Sequence, residues 1–232
     1  MNIKQFKDIH KSQRCFVIGN GPSLRNTNLD LIKDEITFGC NRIYLSEFKP
    51  TYYAIEDMLD VQQFHKEINE YEAPKYKFIP FFYKNLIKGE NVVYIKFGRG
   101  DNHINFVDKS VGYFVWGGTV TYLMIQLAYW MGCNPIYLIG IDHDWGDLNK
   151  NANGGKVIRS SEDDLHHFSK EYYDKGKYWV LPNIKVMERS YRTAKEILSK
   201  EGCDIFNATK GSKLDIFRRI DYNDLFSGNN RK

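Results

Sequence analysis

Seven short runs rich in apolar, β-branched and aromatic residues constrain the fold of this chain most: CFVIG (15–19), ITFGC (36–40), TYYAI (51–55), YKFIP (76–80), VVYIKF (92–97), PIYLIG (135–140) and CDIFNAT (203–209). Several show no polar–apolar alternation. A strand with one wet face alternates, so these runs read as strands covered on both faces. Helix-spaced stretches lie between them. Asp57 to Tyr71 places Met58, Val61, Phe64 and Ile68 at intervals of three and four; Thr119 to Met131 starts on a capping threonine and stops at Gly132; Glu188 to Lys200 ends at Gly202. Strands alternating with helices predict an α/β fold, a mainly parallel sheet wound on both faces.

The length of 232 residues is that of one domain, expected to run from residue 1 to 232. A net charge of +4 from scattered Lys and Arg favours anionic ligands only weakly. The densest basic groups are Arg189/Arg192/Lys195 and Arg218/Arg219. No basic face is interleaved with exposed aromatics, so no nucleic-acid partner is expected. The basic residues near the C-terminus read as a solvated face, with peripheral membrane contact as the alternative. Cys15, Cys40, Cys133 and Cys203 sit in or beside apolar runs and form no CxxC pair, which points to reduced thiols and a cytoplasmic location, the inner face of the membrane being the alternative. MNIKQFKDIHKSQR carries no apolar signal core. Val120 to Gly140 is apolar enough to raise a membrane span, but Gly132, Asn134 and Pro135 divide it into a helix, a turn and a strand. Two long polar and aromatic segments, Gly98 to Gly118 and Ile141 to Met187, break the strand–helix rhythm; the second, about 141–187, reads as a lid.

In an open α/β sheet, ligands bind beyond the carboxyl ends of the strands. The first end delivers Gly19, Asn20, Gly21, Pro22 and Ser23. Its glycines permit close backbone approach and its side chains suit phosphate or ribose, but Leu24 replaces the third glycine of GxGxxG and Pro22 removes an amide. A nucleotide loop and a plain tight turn both fit. The second end delivers Asn41 and Arg42, either ligand groups or a turn cap and a solvated cation. The third supplies Glu56, which can read a sugar hydroxyl or hold a cation, and Asp57, which suits a helix N-cap. The fourth, GIDHDWGD, brings Asp142, His143, Asp144 and Asp147, spaced to hold Mg²⁺ with phosphate or to orient a hydroxyl. Farther on, His166 and His167 precede Tyr172 and Tyr173; a lid histidine here is either a general base or structural. No GxSxG or HExxH is present.

GNGPSL, CNRIY, WGGTVTYLMIQLAYWMGC, IYLIGIDHDW, HHFSKEYY and CDIFNATKGSKLDIFRRIDYNDLF, in that order from about Arg14 to Phe226, resemble the 6-hydroxymethylpterin diphosphokinase MptE-like family. They are similar, more distantly, to the bacterial sialyltransferases of glycosyltransferase family 42. The resemblance implies a single Rossmann-like nucleotide-binding domain in which Asn20 and Asn41 are nucleotide ligands and Gly117, Gly118 and Thr119 line the donor site. It also implies that His167, or else His166, is the base, that Tyr172 and Tyr173 assist the leaving phosphate, and that no metal is needed. Arg42, Glu56 and the acidic IDHDWGD depart from the sialyltransferase pattern and would suit a nucleoside triphosphate with Mg²⁺ on Asp142 and Asp144.

The expectation is therefore a glycosyltransferase that takes a nucleotide-activated sugar, of the CMP-nonulosonic-acid type, to a glycan acceptor in bacterial surface polysaccharide synthesis, with Glu56, Asp142 and His143 near substrate and no required cofactor. The aromatic, histidine-containing lid suits a sugar acceptor. A Mg²⁺-dependent diphosphokinase acting from ATP on a hydroxymethylpterin-like acceptor is the alternative, and a non-catalytic nucleotide or glycan sensor a third.

Overall fold

Cys15 and Val17 enter one hydrophobic core and Phe16 and Ile18 another, and all four are fully buried, which is why this run shows no alternation. The computed structural model describes residues 1–98, 106–150 and 154–227. In chain order its main elements are β1 (Cys15–Ile18), β2 (Ile36–Cys40), β3 (Tyr52–Ala54), α1 (Met58–Glu70), β4 (Tyr76–Pro80), β5 (Val92–Phe97), β6 (Tyr113–Phe114), α2 (Val120–Trp130), β7 (Ile136–Ile139), β8 (Val157–Arg159), β9 (Tyr178–Val180), α3 (Ile184–Lys200), β10 (Ile205–Asn207) and β11 (Arg218–Arg219). Nine strands form one sheet in the order β11-β10-β7-β1-β2-β3-β4-β5-β6, and every pairing in it is parallel. The fold is α/β and Rossmann-like. From β1 the chain winds outward through β2 to β6, then returns through α2 to place β7 on the other side of β1. The strand order therefore switches between β1 and β7, the place where such sheets open a crevice.

All seven expected strands form within two residues of their sequence bounds. The two-residue β6 and β11 and the antiparallel hairpin β8–β9 were not expected, because the former are too short to show a pattern and the hairpin buries neither face fully. α2 and α3 pack on one side of the sheet and share a core with Val17, Phe38 and Ala54. α1 packs on the other, where Val61, Phe64 and Ile68 meet Ile18, Tyr53 and Ile79. Asp57 caps α1 as expected, its carboxylate accepting from the amides of Leu59 (2.7 Å) and Asp60 (3.1 Å). α3 starts four residues before Glu188 because the Asn183 side chain accepts from the Val186 amide at 3.1 Å.

The long apolar stretch from Val120 resolves into α2, a turn at Gly132 and β7, and among the described residues no helix is long and apolar enough to cross a membrane. All four cysteines are free and buried. Of the two long segments, residues 99–105 and 151–153 lie outside the described residues. The described part of 141–187 comprises the turn after β7 with a short 3-10 helix (Gly146–Lys150), the β8–β9 hairpin with the stretch it brackets, and the start of α3. Arg219 is held by Asp215 and the Ser212 carbonyl, so one member of the C-terminal basic doublet is bound internally.

Candidate functional site

At the β1/β7 switch, the glycine turn is occupied by the protein's own backbone. The Gly19 amide donates to the Ile139 carbonyl (2.8 Å) and the Gly21 amide to the Gly140 carbonyl (2.9 Å), while Ser23 donates through its amide (3.0 Å) and hydroxyl (2.7 Å) to the Asp142 carboxylate. A Cβ on Gly19 would stand 2.5 Å from the Gly140 carbonyl oxygen, and one on Gly21 would stand 1.9 Å from Asp142 Oδ2. The glycines thus let the loops after β1 and β7 cross in contact. The Gly19, Gly21 and Ser23 amides therefore have internal acceptors and Pro22 has none to give, which corrects the expectation of an amide cradle at those positions. Gly19, Asn20 and Gly21 still line a cleft beside the turn, whereas Pro22 and Ser23 line neither it nor the larger cavity next to it.

Asn20 is different. Its Nδ2 donates to the Cys40 carbonyl at 3.0 Å, which fixes the amide's orientation and leaves Oδ1 buried without a partner. Asn41, after β2, adopts φ +47°, a left-handed conformation that Asn tolerates better than most residues, and its Oδ1 is likewise buried and unpartnered. Both line a cleft of about 130 Å³ whose wall includes Thr119, Val120 and Thr121 at the start of α2. Thr119 caps that helix, accepting from the Thr121 amide at 3.3 Å. A larger cavity of about 540 Å³ adjoins the cleft, and Asn41, Thr119, Trp145 and His167 line both. Gly118 lines only the larger one, and Gly117 lines neither, because a Cβ there would enter the Tyr122 ring at 2.1 Å.

The double-histidine segment is pinned across both loops. The Phe168 amide donates to the Asn20 carbonyl (2.9 Å), and Arg25 donates to the carbonyls of His167 (2.6 Å) and Phe168 (2.8 Å). Arg42, expected to grip a nucleotide, lines neither cavity. Its guanidinium donates to the carbonyls of Glu171 (2.7 Å) and Tyr172 and lies 4.1 Å from the centre of the Phe64 ring. It tethers the histidine segment, and its charge is used there.

Asp164 organises that segment. Its carboxylate accepts from the amides of His166 (2.7 Å), His167 (3.1 Å) and Tyr173 (3.1 Å) and from His167 Nδ1 at 2.8 Å. Burial alone would raise its pKa, but the His167 bond and the other donors outweigh burial and hold it below the ordinary carboxylate value, so it is ionised at neutral pH. An ionised carboxylate only accepts, so Nδ1 is the donor to Asp164, and in the neutral ring the lone pair lies on Nε2. The His167 ring stacks on Tyr172 with centroids 4.0 Å apart and planes 3° from parallel. His166 lines the smaller cleft and touches Trp179; burial lowers its pKa, with Asp164 opposing.

The two lid tyrosines are fastened into the fold. Tyr173 donates its hydroxyl to Asp60 Oδ1 at 2.6 Å, so its proton is not available to a leaving phosphate, and the Tyr172 oxygen accepts from the Arg42 amide at 3.3 Å. Burial raises both phenols well above their ordinary value.

The acidic turn after β7 does not fit Mg²⁺. Both Asp142 oxygens are bonded by Ser23, and Asp144 accepts from the Gly146 amide (3.0 Å) and the Lys213 ammonium (2.8 Å). Among the described residues no three His, Cys, Asp or Glu side chains converge to hold a metal ion. His143, at φ +55°, lines the cleft with Glu188 3.6 Å from Nε2; burial lowers its pKa, with Glu188 opposing. Glu56 and Asp60 line the larger cavity, each with a buried, unpartnered oxygen. The sequence reading did not single out Asp60, Asp164 or Trp116, the last of which lines the larger cavity. Only Asp164 carried a local signal, an acid three residues before a histidine.

The family model described as 6-hydroxymethylpterin diphosphokinase MptE-like matches residues 1–147. No curated protein matches the chain. Among solved structures, it is similar to the MAf glycosyltransferase from Magnetospirillum magneticum AMB-1 at 14% identity and a TM-score of 0.56, covering 94% of this chain and 37% of that one. The chain thus spans little more than a third of that protein, and the likeness is one of fold. It is also similar to the sialyltransferase CstII from Campylobacter jejuni, solved with CMP-3FNeuAc, at 18% identity and a TM-score of 0.45, covering 90% of this chain and 85% of that one.

Proposed function

We propose that this chain, which belongs to the 6-hydroxymethylpterin diphosphokinase MptE-like family, is a transferase that moves a glycosyl group from a nucleotide-activated donor to a hydroxyl acceptor. The observation that carries this reading is the Asp164–His167 pair at the junction of the two cavities, its Nε2 free to take a proton. The donor occupies the smaller cleft. Asn20 Oδ1 and Asn41 Oδ1, acceptors without donors, suit the N–H and O–H groups of a base and ribose. The start of α2, which lines the cleft with Thr119, Val120 and Thr121, suits the phosphate through the positive end of its helix dipole. The acceptor hydroxyl enters from the larger cavity. As its oxygen bonds to the anomeric carbon, the bond from that carbon to the phosphate oxygen breaks, the hydroxyl proton passes to Nε2, and Asp164 stabilises the imidazolium. The CMP-nonulosonic-acid donor and the surface-polysaccharide setting expected from the sequence are the first substrates to try.

The diphosphokinase reading needs Mg²⁺, and the turn that would have held it has its carboxylates engaged by Ser23 and Lys213. The test is turnover of CMP-sugar and of ATP, each with Mg²⁺ and with EDTA. We expect CMP-sugar cleavage in EDTA, slowed about 10²- to 10⁴-fold by His167→Ala with nucleotide affinity kept within about twofold. Full activity in His167→Ala would remove the base. ATP-dependent turnover abolished by EDTA would establish the kinase instead.

A further inference from the structure

The larger cavity carries a charge pattern that the donor chemistry does not need. In a chain of net charge +4, its wall holds three carboxyl side chains, Glu56, Asp57 and Asp60, and no Lys or Arg among the described residues. Asp57 is engaged in capping α1. Glu56 is only 7% exposed and Asp60 1%, and each leaves one oxygen, Glu56 Oε2 and Asp60 Oδ2, buried without a partner. A buried carboxyl with an unsatisfied oxygen is costly unless something binds it. Burial above all, with Asp57 adding repulsion, raises Glu56 to about 8 and Asp60 to about 7, the latter despite the opposing Tyr173 hydroxyl and Arg42 charge. Aromatic rings supply much of the remaining wall. Trp116 stacks on Phe97 with centroids 3.9 Å apart yet stays 46% exposed, half-exposed Phe82 lies beside it, and Trp179 and Tyr173 stack with centroids 6.2 Å apart.

Resting on the transferase reading above, we propose that this cavity is the acceptor subsite and that Glu56 and Asp60, with Trp116 and Trp179, select an acceptor bearing a protonated amine beside its reactive hydroxyl, as an amino sugar does. An acceptor with hydroxyls alone would leave two acids where two amides would serve as well. An ammonium group between buried carboxylates and aromatic faces gains from both, since attraction is strong where water is excluded and ring faces draw cations. A divalent metal gains nothing from indole rings, and no three-ligand cluster stands ready for one among the described residues. His167 lines the same cavity and faces the acceptor hydroxyl, so the amine would sit on the α1 side of the reacting oxygen.

The test is calorimetric titration of the full chain with glucosamine, N-acetylglucosamine, glucose and MgCl₂, in wild type, Glu56→Gln and Trp116→Ala, with CMP titrated into each protein in parallel. We expect glucosamine to bind about tenfold or more tighter than the two uncharged sugars. Glu56→Gln should abolish that preference while keeping the wild-type melting temperature or raising it, and Trp116→Ala, at a half-exposed site, should weaken glucosamine without unfolding. Equal affinity for glucosamine and glucose, or a preference that survives Glu56→Gln, would overturn the proposal, and so would Mg²⁺ binding lost in Glu56→Gln. A wild-type protein that prefers glucosamine but ignores CMP would uphold the cation site and sink the nucleotide-transferase reading.

Discussion

The glycine turn after β1 and the histidine segment at 164–173 meet over one cleft, yet they handle their polar groups in opposite ways. In the turn, the Gly19, Gly21 and Ser23 amides have acceptors inside the protein, and the two glycines are fixed by the close crossing with Gly140 and Asp142. In the histidine segment, Asp164 gathers three backbone amides and His167 Nδ1, and the outcome of all that bonding is one nitrogen left free. On the reading proposed above, the more conspicuous motif serves the fold and the less conspicuous one carries the chemistry. Glycine at a strand end answers to steric demands that every α/β fold makes, whereas a histidine held by a buried carboxylate answers to a proton.

A crossed pair of substitutions probes that contrast most strongly. Asp164→Asn should lower turnover on the order of 10²-fold or more, because an amide no longer enforces the Nδ1–H tautomer or supports the imidazolium. Gly19→Ala should instead destabilise the fold by about 1–3 kcal/mol, since its Cβ meets a backbone oxygen, and the thermal midpoint should fall accordingly. If Gly19→Ala left the midpoint unchanged and abolished nucleotide binding, the turn would be a ligand loop after all.

Asn20 sharpens the comparison from inside the turn, as the residue there with an unpartnered acceptor in the cleft. Asn20→Ala should weaken nucleotide binding about three- to tenfold, the worth of one hydrogen bond. Unchanged affinity in a calorimetric titration would remove Asn20 from the site.

The smallest effect is a pair of opposed pH slopes. Bonding to His167 and the backbone lowers Asp164 against the pull of burial, so its contribution is complete above about pH 4 and is lost as pH falls through its lower folded value. Asp142 behaves oppositely: burial raises it despite Ser23, so its ionisation costs stability as pH rises through about 4 toward its folded value. The loss of melting temperature in Asp164→Asn should therefore shrink between pH 7 and pH 3, and that in Asp142→Asn should grow. Slopes of equal sign would contradict the assignment.

Much of the framework was legible because it is local. A run such as CFVIG needs two apolar faces, and Asp57 and Thr119 stand where helix caps must stand. The convergence of Asn20, Asn41 and His167 was legible too, since strand ends in a parallel sheet share an edge. Arg42 was misjudged because a cation past a strand suits a phosphate and a carbonyl equally, and the carbonyls that claim it lie 129 and 130 residues downstream. That Asp142 is engaged inside the protein was hidden likewise, since the serine that bonds it lies 119 residues upstream. Asp60 stood in full view as an ordinary helix residue, and nothing nearby in sequence indicated that Tyr173 would cover it.

By itself, then, the sequence determined the alternation of strands and helices, the parallel sheet, and the set of loops gathered at its carboxyl edge. Only the tertiary structure decided which polar groups there remain unengaged. Hydrophobic period and capping act over a few residues and can be read along the chain, but a donor or acceptor is free or taken according to partners that folding brings from more than a hundred residues away.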